Sequence, residues 1–554
     1  MTATLGADDF ALFFSAIYGH PPFPWQERLA QSLVETGTWP DALALPTGTG
    51  KTAALDVALF HLAADASSDE RRAAARIVLV VDRRLVVDDA HARAERLATA
   101  LRWALLTPED AAMRAEIEPA NADAIVRVRA EPIVTEMARR LSKLAGPDAR
   151  PLLARRLRGG IAREDDWARS PCQPIIVSST IDQIGSRLLF RGYGVSDSMK
   201  PVQAGLLGAD CLVLLDEAHL ARPFLQTLRQ IERYGSERWH DTAELVRPLA
   251  VVPLSATPGE AEERPGRFGL EDADRTHPIL ARRLGAAKPT RLVTTVAKRG
   301  PAEDEDGEGE DHRGQDQAEA ARVETLVRET AALIEALAAA GTDTPAVAVV
   351  VNRVARARAV FEKLRSREET TVELMIGPAR PIDRETLADR LRLVRTGAVP
   401  SDARQNRDLG RPLVVVATQT IEVGVDVDFD GVVSDLAPLD ALVQRFGRLD
   451  RDGAFGAARG VVVAAASDLA ARFDDPVYGR TLRPTWEWLR AVGTSTGTDT
   501  IVDFGPTSLE TTRRSTPPPP EVTARAQDAP VLMPAHVDLL SRTAPIPAPD
   551  PEIA

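Results

Sequence analysis

Cysteine is almost missing: Cys172 and Cys211 are the two in 554 residues. They cannot build a disulfide framework, and neither stands in a metal-type spacing, so the composition suits a reducing interior. No apolar run approaches the roughly 18 residues of a membrane helix. The amino terminus lacks a basic region followed by an apolar core, so no signal peptide is expected. The reading is a cytoplasmic protein with no membrane partner. Positive charge is also short. A formal net charge of −13 argues against a simple nucleic-acid coat, which would be basic. The acidity is partly local. "EDEDGEGED" (303–311) holds seven carboxylates and no base, the pattern of a solvated block. By contrast, "ARPLLARRLRGGIAR" (149–163) is strongly basic.

What is present is an alternation of strands and helices. At about 100–200 residues per domain, the length allows three or four units. Residues 1–40 read as helical, with an apolar stripe at Phe10, Phe13, Phe14 and Ile17. Short β-branched runs follow: "RIVLVVD" (76–82), "PIIVSST" (174–180), "CLVLLDEAH" (211–219) and "AVVPLSATP" (250–258). After the acidic block the pattern restarts with "AVAVVVNR" (346–353), "TVELMIG" (371–377), "PLVVVATQT" (412–420), "GVVSDLAP" (431–438) and "GVVVAAAS" (460–467). Such runs suit strands buried on both faces of a parallel sheet, with helices between. The expected division is a helical segment 1–40, an α/β domain 41–298, an acidic linker 299–318, a second α/β domain 319–475 and a region 476–554. In that last region "TPPPPE" and "APIPAPDPE" are expected to be extended or disordered.

One turn carries chemistry. In "LALPTGTGKTAALDVALF" (43–60) a strand passes through Thr47-Gly48-Thr49-Gly50-Lys51-Thr52 into a helix. A strict phosphate loop has glycine where Leu45 stands; the rest of the pattern is kept. Gly48 and Gly50 let backbone N–H groups, with that of Thr49, curl around phosphate oxygens. The helix start adds partial positive charge. Lys51 suits the β- and γ-phosphates of ATP, and Thr52 suits Mg²⁺. A phosphate site also needs an acid at a strand end, and "CLVLLDEAH" supplies it. Asp216 is placed to hold Mg²⁺, Glu217 to polarise the attacking water, and His219 to link the site onward.

Asp216-Glu217-Ala218-His219 resembles the signature of superfamily-two helicases, and the resemblance extends along the chain. It implies tandem RecA-like domains and a set of roles. Gln26 in "PFPWQERLA" would read adenine. Ser255 and Thr257 in "SAT" would couple hydrolysis to movement. Thr418, Gly424 and Asp426 in "ATQTIEVGVDVDFD" would contact nucleic acid and nucleotide. Gln444, Arg448 and Arg451 in "QRFGRLDR" would complete hydrolysis, Gln444 on the water and the arginines on the developing charge. Three residues apart, the two arginines are expected on one helix face. Arg83, Arg84, Thr180 and Gln183 are the expected backbone contacts to nucleic acid.

Longer strings, among them "VDRRLVVDDAHARA", "GSRLLFRGYGVSDSMKPVQAGLLG" and "LLDEAHLARPF", resemble the CRISPR-associated type I helicase–nuclease family. The subtype resembled carries its nuclease C-terminal to the helicase (type I-G, earlier I-U). The resemblance implies an ATP-driven translocase on single-stranded DNA, moving 3′ to 5′ and recruited by an RNA-guided surveillance complex once the R-loop forms. The family's nuclease uses clustered His and Asp. Of eight histidines here, only His536 follows residue 312. DNA cutting is therefore expected to need a separate His-Asp nuclease. Two other readings stay open: a general RNA helicase, and a nucleotide-switched adaptor that does not unwind.

Overall fold

The computed structural model describes residues 5–524, except 69, 83, 108–109, 111–121, 148, 160–165, 236–246, 248, 256–265, 296–308, 378–386, 388–389, 396–406 and 423–425, together with 529, 533, 535, 536 and 539. The chain forms two compact units that divide between His277 and Pro278.

The first unit is built on β1 (Ala42–Ala44), β2 (Arg76–Val81), β3 (Leu153–Leu157), β4 (Ile175–Thr180), β5 (Cys211–Asp216), β6 (Leu249–Ser255) and β7 (Arg267–Gly269). They form one sheet in the order β3-β4-β2-β5-β6-β1-β7. Every pairing in it is parallel. β2 and β4 are buried along their whole length, as expected of apolar runs covered on both faces. The amino-terminal stripe is buried in the helix Asp9–Tyr18. Phe10 and Phe13 meet Phe60 at centroid distances of 5.4 and 6.1 Å. Phe60 belongs to the helix Ala54–Asp65 that follows the Gly/Thr loop, so the stripe braces that helix. A buried carboxylate on the same helix, Asp56, accepts from the Tyr18 hydroxyl at 2.6 Å and from Arg93 at 2.5 Å.

The second unit contains β8 (Pro289–Thr295), β9 (Ala346–Val350), β10 (Thr371–Met375), β11 (Leu413–Ala417), β12 (Gly431–Asp435), β13 (Arg459–Ala465), β14 (Thr494–Thr496) and β15 (Asp499–Asp503). Their order is β10-β11-β9-β12-β13-β8-β15-β14. β15 runs antiparallel to β8 and closes the edge as a hairpin with β14.

Three boundaries differ from the sequence expectation. β8 pairs with β13 in the second sheet, although residues 289–295 were assigned to the first domain. A helix, Gly309–Ala339, already begins within the stretch expected to be linker. Residues beyond 475 extend the second unit rather than trailing from it. There, Val522 is buried on the helix Leu482–Val492, and Thr485 donates to its carbonyl at 3.3 Å. Trp488 donates to the Thr516 carbonyl at 3.2 Å at the start of "TPPPPE", whose residues stay mostly exposed.

The second core holds charges as well as aliphatics. Asp435, ending β12, is buried and accepts from Arg356 at 2.5 Å and from the Asn352 N–H at 2.9 Å. Arg356 is itself buried and also reaches Glu319 at 2.5 and 2.6 Å. Burial pushes the Asp435 carboxyl up, but Arg356, Arg322 and the Asn352 N–H outweigh it and hold it below its ordinary value. Arg356→Met strands this carboxylate, at a cost of about 3–5 kcal/mol in a urea unfolding measurement. With the folded value depressed, the pair's contribution is full above the unfolded carboxylate value of about 3.9. It is lost as pH falls through the folded value, so the gap between variant and wild type narrows in acid.

Candidate functional site

Parallel register assembles the first cluster. Leu43 of β1 pairs with Leu254 of β6, and Leu254 pairs with Asp216 of β5. The C-terminal ends of three neighbouring strands therefore carry the Gly/Thr loop, Ser255 and the Asp216-Glu217 pair to one edge of the sheet. This is the edge where ligands of open α/β sheets bind.

Gly48 and Gly50 have φ of +82° and +79°, a region open to glycine without strain. A Cβ on Gly50 would also meet Gln26 at 3.2 Å and Phe23 at 3.4 Å. Thr49 is fully buried, whereas the Thr52 side faces solvent. Lys51 opens the turn Lys51–Ala53. Its ammonium donates to Glu217 at 2.6 Å and lies 3.9 Å from Asp216. Glu217 departs from β5 at φ +47°, ψ +49°, a left-handed conformation that costs a side-chain-bearing residue about 1–2 kcal/mol. That bend ends the strand and delivers the carboxylate to Lys51. His219 Nδ1 stands 3.5 Å from the other Glu217 oxygen and 3.3 Å from the Ser255 hydroxyl. Lys51, Glu217, His219 and Ser255 thus form one connected chain.

Gln26 sits in the third position of the helix Pro24–Thr36 and is buried. Its carboxamide accepts from the Phe23 N–H at 2.9 Å and donates to the Gly50 carbonyl at 3.5 Å. It is thereby tied to the loop. Asp216 and Thr52 carry hard oxygen donors of the type Mg²⁺ takes.

In the second unit Gln444 lies on the helix Leu439–Phe446 and is buried. The helix ends before Arg448 and Arg451. The expectation that both arginines share a helix face is therefore corrected. Their environments differ. Arg448 is buried and donates to the carbonyls of Ile421 and Glu422 at 3.1 and 2.7 Å. Arg451 is more exposed and pairs with Asp426 at 3.4 Å. Thr418 is buried ahead of the turn Gln419–Ile421.

Sequence reasoning passed over Arg445, which is 1% exposed. It binds Glu422 at 2.8 Å, Ser434 at 3.0 Å, Asn352 at 2.9 Å and Tyr478 at 3.1 Å. Burial pushes the Tyr478 phenol up to about 12. Lys288, also missed, donates to the Phe446 carbonyl at 2.9 Å, and burial brings its ammonium down to about 8. The available signal was a polar residue just after each apolar strand: Asn352 after β9 and Asp435 closing β12.

The expected nucleic-acid contacts are only partly described. Arg83, Thr257 and Gly424 lie outside the described residues, as does the side chain of Arg84. Thr180 is buried at the start of the helix Ile181–Leu188. The Gln183 carboxamide accepts from Arg187 at 2.7 Å, within its own helix. Among the described residues no group of three or more His, Cys, Asp or Glu is arranged to hold a metal ion. Nor is any described helix long and apolar enough to cross a membrane.

Residues 343–454 match the family model described as CRISPR-associated nuclease/helicase Cas3, C-terminal. CRISPR-associated endonuclease/helicase Cas3 of Escherichia coli (strain K12) is 34% identical over 121 residues, covering 22% of this chain and 13% of that protein. CRISPR-associated helicase Cas3 of Thermoproteus tenax is 32% identical over 106 residues, covering 19% of this chain and 16% of that protein. The crystal structure of T. fusca Cas3-AMPPNP superposes with a TM-score of 0.54 at 20% identity. That superposition covers 90% of this chain and 53% of the other, so the chain spans about half the length of that protein. The second unit is thus similar in sequence to CRISPR-associated Cas3 helicases, and the α/β architecture of both units is similar to that of Cas3.

Proposed function

We propose that this chain is an ATP-driven helicase of the CRISPR-associated Cas3 kind, acting on single-stranded DNA in CRISPR interference against invading DNA. The carrying observation is the Lys51–Glu217 contact of 2.6 Å at the joint edge of β1, β5 and β6. The Cas3 match over residues 343–454 supports the same reading from the other half of the chain. Translocation runs 3′ to 5′ and an RNA-guided surveillance complex recruits the protein. The protein works in the cytoplasm.

The chemistry follows from the side chains. Without nucleotide, Lys51 and Glu217 satisfy one another. Triphosphate oxygens offer Lys51 denser negative charge, and the glycine loop offers them N–H groups. Glu217, released, accepts the hydrogen bond of the attacking water and orients it. His219 and Ser255 feel that change directly, which makes them the coupling pair, together with Thr257. Thr52 and Asp216 hold Mg²⁺, which when bound neutralises phosphate charge. Gln26 reads adenine by exchanging its Gly50 contact for the base edge. Gln444 positions water, and Arg451 supplies charge to the transferred phosphoryl group. Arg448 holds the 421–422 turn, and Gly424 and Asp426 contact the nucleotide. Thr418 belongs to the nucleic-acid contacts, with Thr180, Gln183, Arg83 and Arg84.

Two kinetic outcomes are expected. Glu217→Gln lowers ATP turnover by about 10²–10⁴-fold, the usual worth of a positioned base. It still binds a fluorescent ATP analogue, whereas Lys51→Ala loses that binding as well. Steady-state ATPase and analogue titration, with single-stranded DNA or RNA added, check both and decide the nucleic acid. Full turnover by Glu217→Gln would sink the reading.

The two arginines are expected to part. Arg451→Ala loses about 10³–10⁵-fold in kcat with unfolding temperature unchanged, as for an arginine acting on the transition state. Arg448→Ala loses activity and also unfolds at lower temperature, because two buried carbonyls lose their donors. Calorimetry beside the ATPase assay separates them.

A further inference from the structure

Lys288 stands just ahead of β8, is 3% exposed and donates its ammonium to the Phe446 carbonyl at 2.9 Å. That residue ends the helix Leu439–Phe446, which carries Gln444 and leads into Arg448 and Arg451. A cation there meets the negative end of the helix dipole. Phe446 is held through its side chain as well: its ring stacks on Phe504 at a centroid distance of 4.5 Å. Lys288 and Phe504 are tied to each other. The Lys288 N–H donates to Asp503 Oδ1 at 2.7 Å, and the Lys288 carbonyl accepts from the Phe504 N–H at 3.2 Å. The end of β15 thus fixes the backbone from which the ammonium reaches the helix.

Beyond the helix, the loop that carries Arg451 hangs on two buried carboxylates. Asp428 accepts from the N–H groups of Arg451 and Asp452 at 2.6 and 3.2 Å. Asp450 accepts from those of Phe455 and Gly456 at 3.1 and 3.2 Å. Buried carboxylates of this kind need positive charge nearby. The Lys288 ammonium is attracted by both Asp428 and Asp450, and is opposed by Arg451 and Arg448. On the preceding helix, Pro278–Gly285, Arg282 and Arg283 reach the Asp452 carbonyl and carboxylate at 2.9 and 2.7 Å. Burial outweighs the two carboxylates and brings the Lys288 ammonium down to about 8. Of the chain's 68 basic residues six are lysine. An arginine at this position would stay charged at any working pH, so lysine makes the charge adjustable.

We propose that Lys288 is a positioning residue for the arginine loop: its ammonium caps the helix ending at Phe446 and balances Asp428 and Asp450, so that Arg451 is left free to act on the transferred phosphoryl group. This rests on the reading that Arg451 serves hydrolysis. A neutral amine still reaches the Phe446 carbonyl, but it no longer balances the two carboxylates. They then draw on the nearby guanidiniums for the same charge, and Arg451 is turned from phosphate to protein. Turnover therefore depends on the Lys288 proton, whereas nucleotide binding at the Gly48–Thr52 loop does not.

The test is steady-state ATPase of the full chain with single-stranded DNA added, from about pH 7 to about pH 9.5, beside titration with a fluorescent ATP analogue. Lys288→Met should lower kcat by about 10²-fold, the usual result of a small misplacement, with analogue binding kept. Wild-type kcat should fall toward the level of that variant as pH rises through about 8, again with analogue binding kept. Lys288→Arg, charged throughout, should regain turnover and show no such fall. Unfolding does not account for the fall. The folded ammonium gives up its proton below the unfolded value of about 10.4, so between the two values this group's contribution to stability rises with pH. A fall that persists unchanged in folded Lys288→Met or Lys288→Arg overturns the proposal, as does full turnover by Lys288→Met. If neither variant folds, NMR of wild type carrying carbon-13 at lysine Cε decides. The lysine signal best shielded from a dissolved paramagnetic agent should titrate together with kcat; a kcat that falls without it, or does not fall, overturns the proposal. Full turnover by Arg451→Ala would instead overturn the part of that arginine in the proposed function, and this inference with it.

Discussion

Glu217 and Lys51 are 166 positions apart, yet their charged atoms lie 2.6 Å from one another. Neither group tolerates the site's partial burial alone, since an unpaired charge there would lose hydration without return. Their meeting depends on three parallel strands ending in register and on one left-handed residue at the end of β5. A shift of β5 by one residue would turn Asp216 and Glu217 to opposite faces. The strand alignment, the Glu217 bend and the glycine loop are therefore one constraint. The aromatic brace of Phe10, Phe13 and Phe60 fixes the helix that the loop enters.

This arrangement stores a choice rather than a fixed state. In the proposed function Lys51 exchanges Glu217 for phosphate, and Gln26 exchanges Gly50 for a base edge. Each alternative costs little because a partner is lost only as another is gained. His219 and Ser255 continue the chain of contacts beyond Glu217. A switch built this way needs no large strain, only two partners of comparable strength.

Legibility followed locality. The turn from β1 into the helix Ala54–Asp65 was readable because contiguous residues, Gly48 through Thr52, set it. The buried strands were readable because a sheet covered on both faces demands unbroken apolar runs, as in β2, β9 and β11. β3 was not, since an edge strand carries charge, and its arginines read only as a basic stretch. β8 mixes Thr and Arg with Leu and Val. Its place in the second sheet is fixed by β13 and β15, pairings that no local pattern announces. Arg445 was passed over for the same reason: its importance lies in Glu422, Asn352 and Tyr478, which are distant in sequence.

The second unit shows how such a network shapes chemistry. Arg445, Arg448, Glu422 and Asn352 saturate each other and the main chain around residues 421–422. A fully satisfied buried polar network is rigid, because any departure leaves a donor or acceptor stranded in low dielectric. Rigidity there frees the residues beyond it. Arg451 follows the helix end, has its N–H held by Asp428 at 2.6 Å, and among the described residues pairs its side chain with Asp426 at 3.4 Å. The backbone is pinned while the guanidinium is held by one longer ion pair, the combination that the proposed role of Arg451 requires.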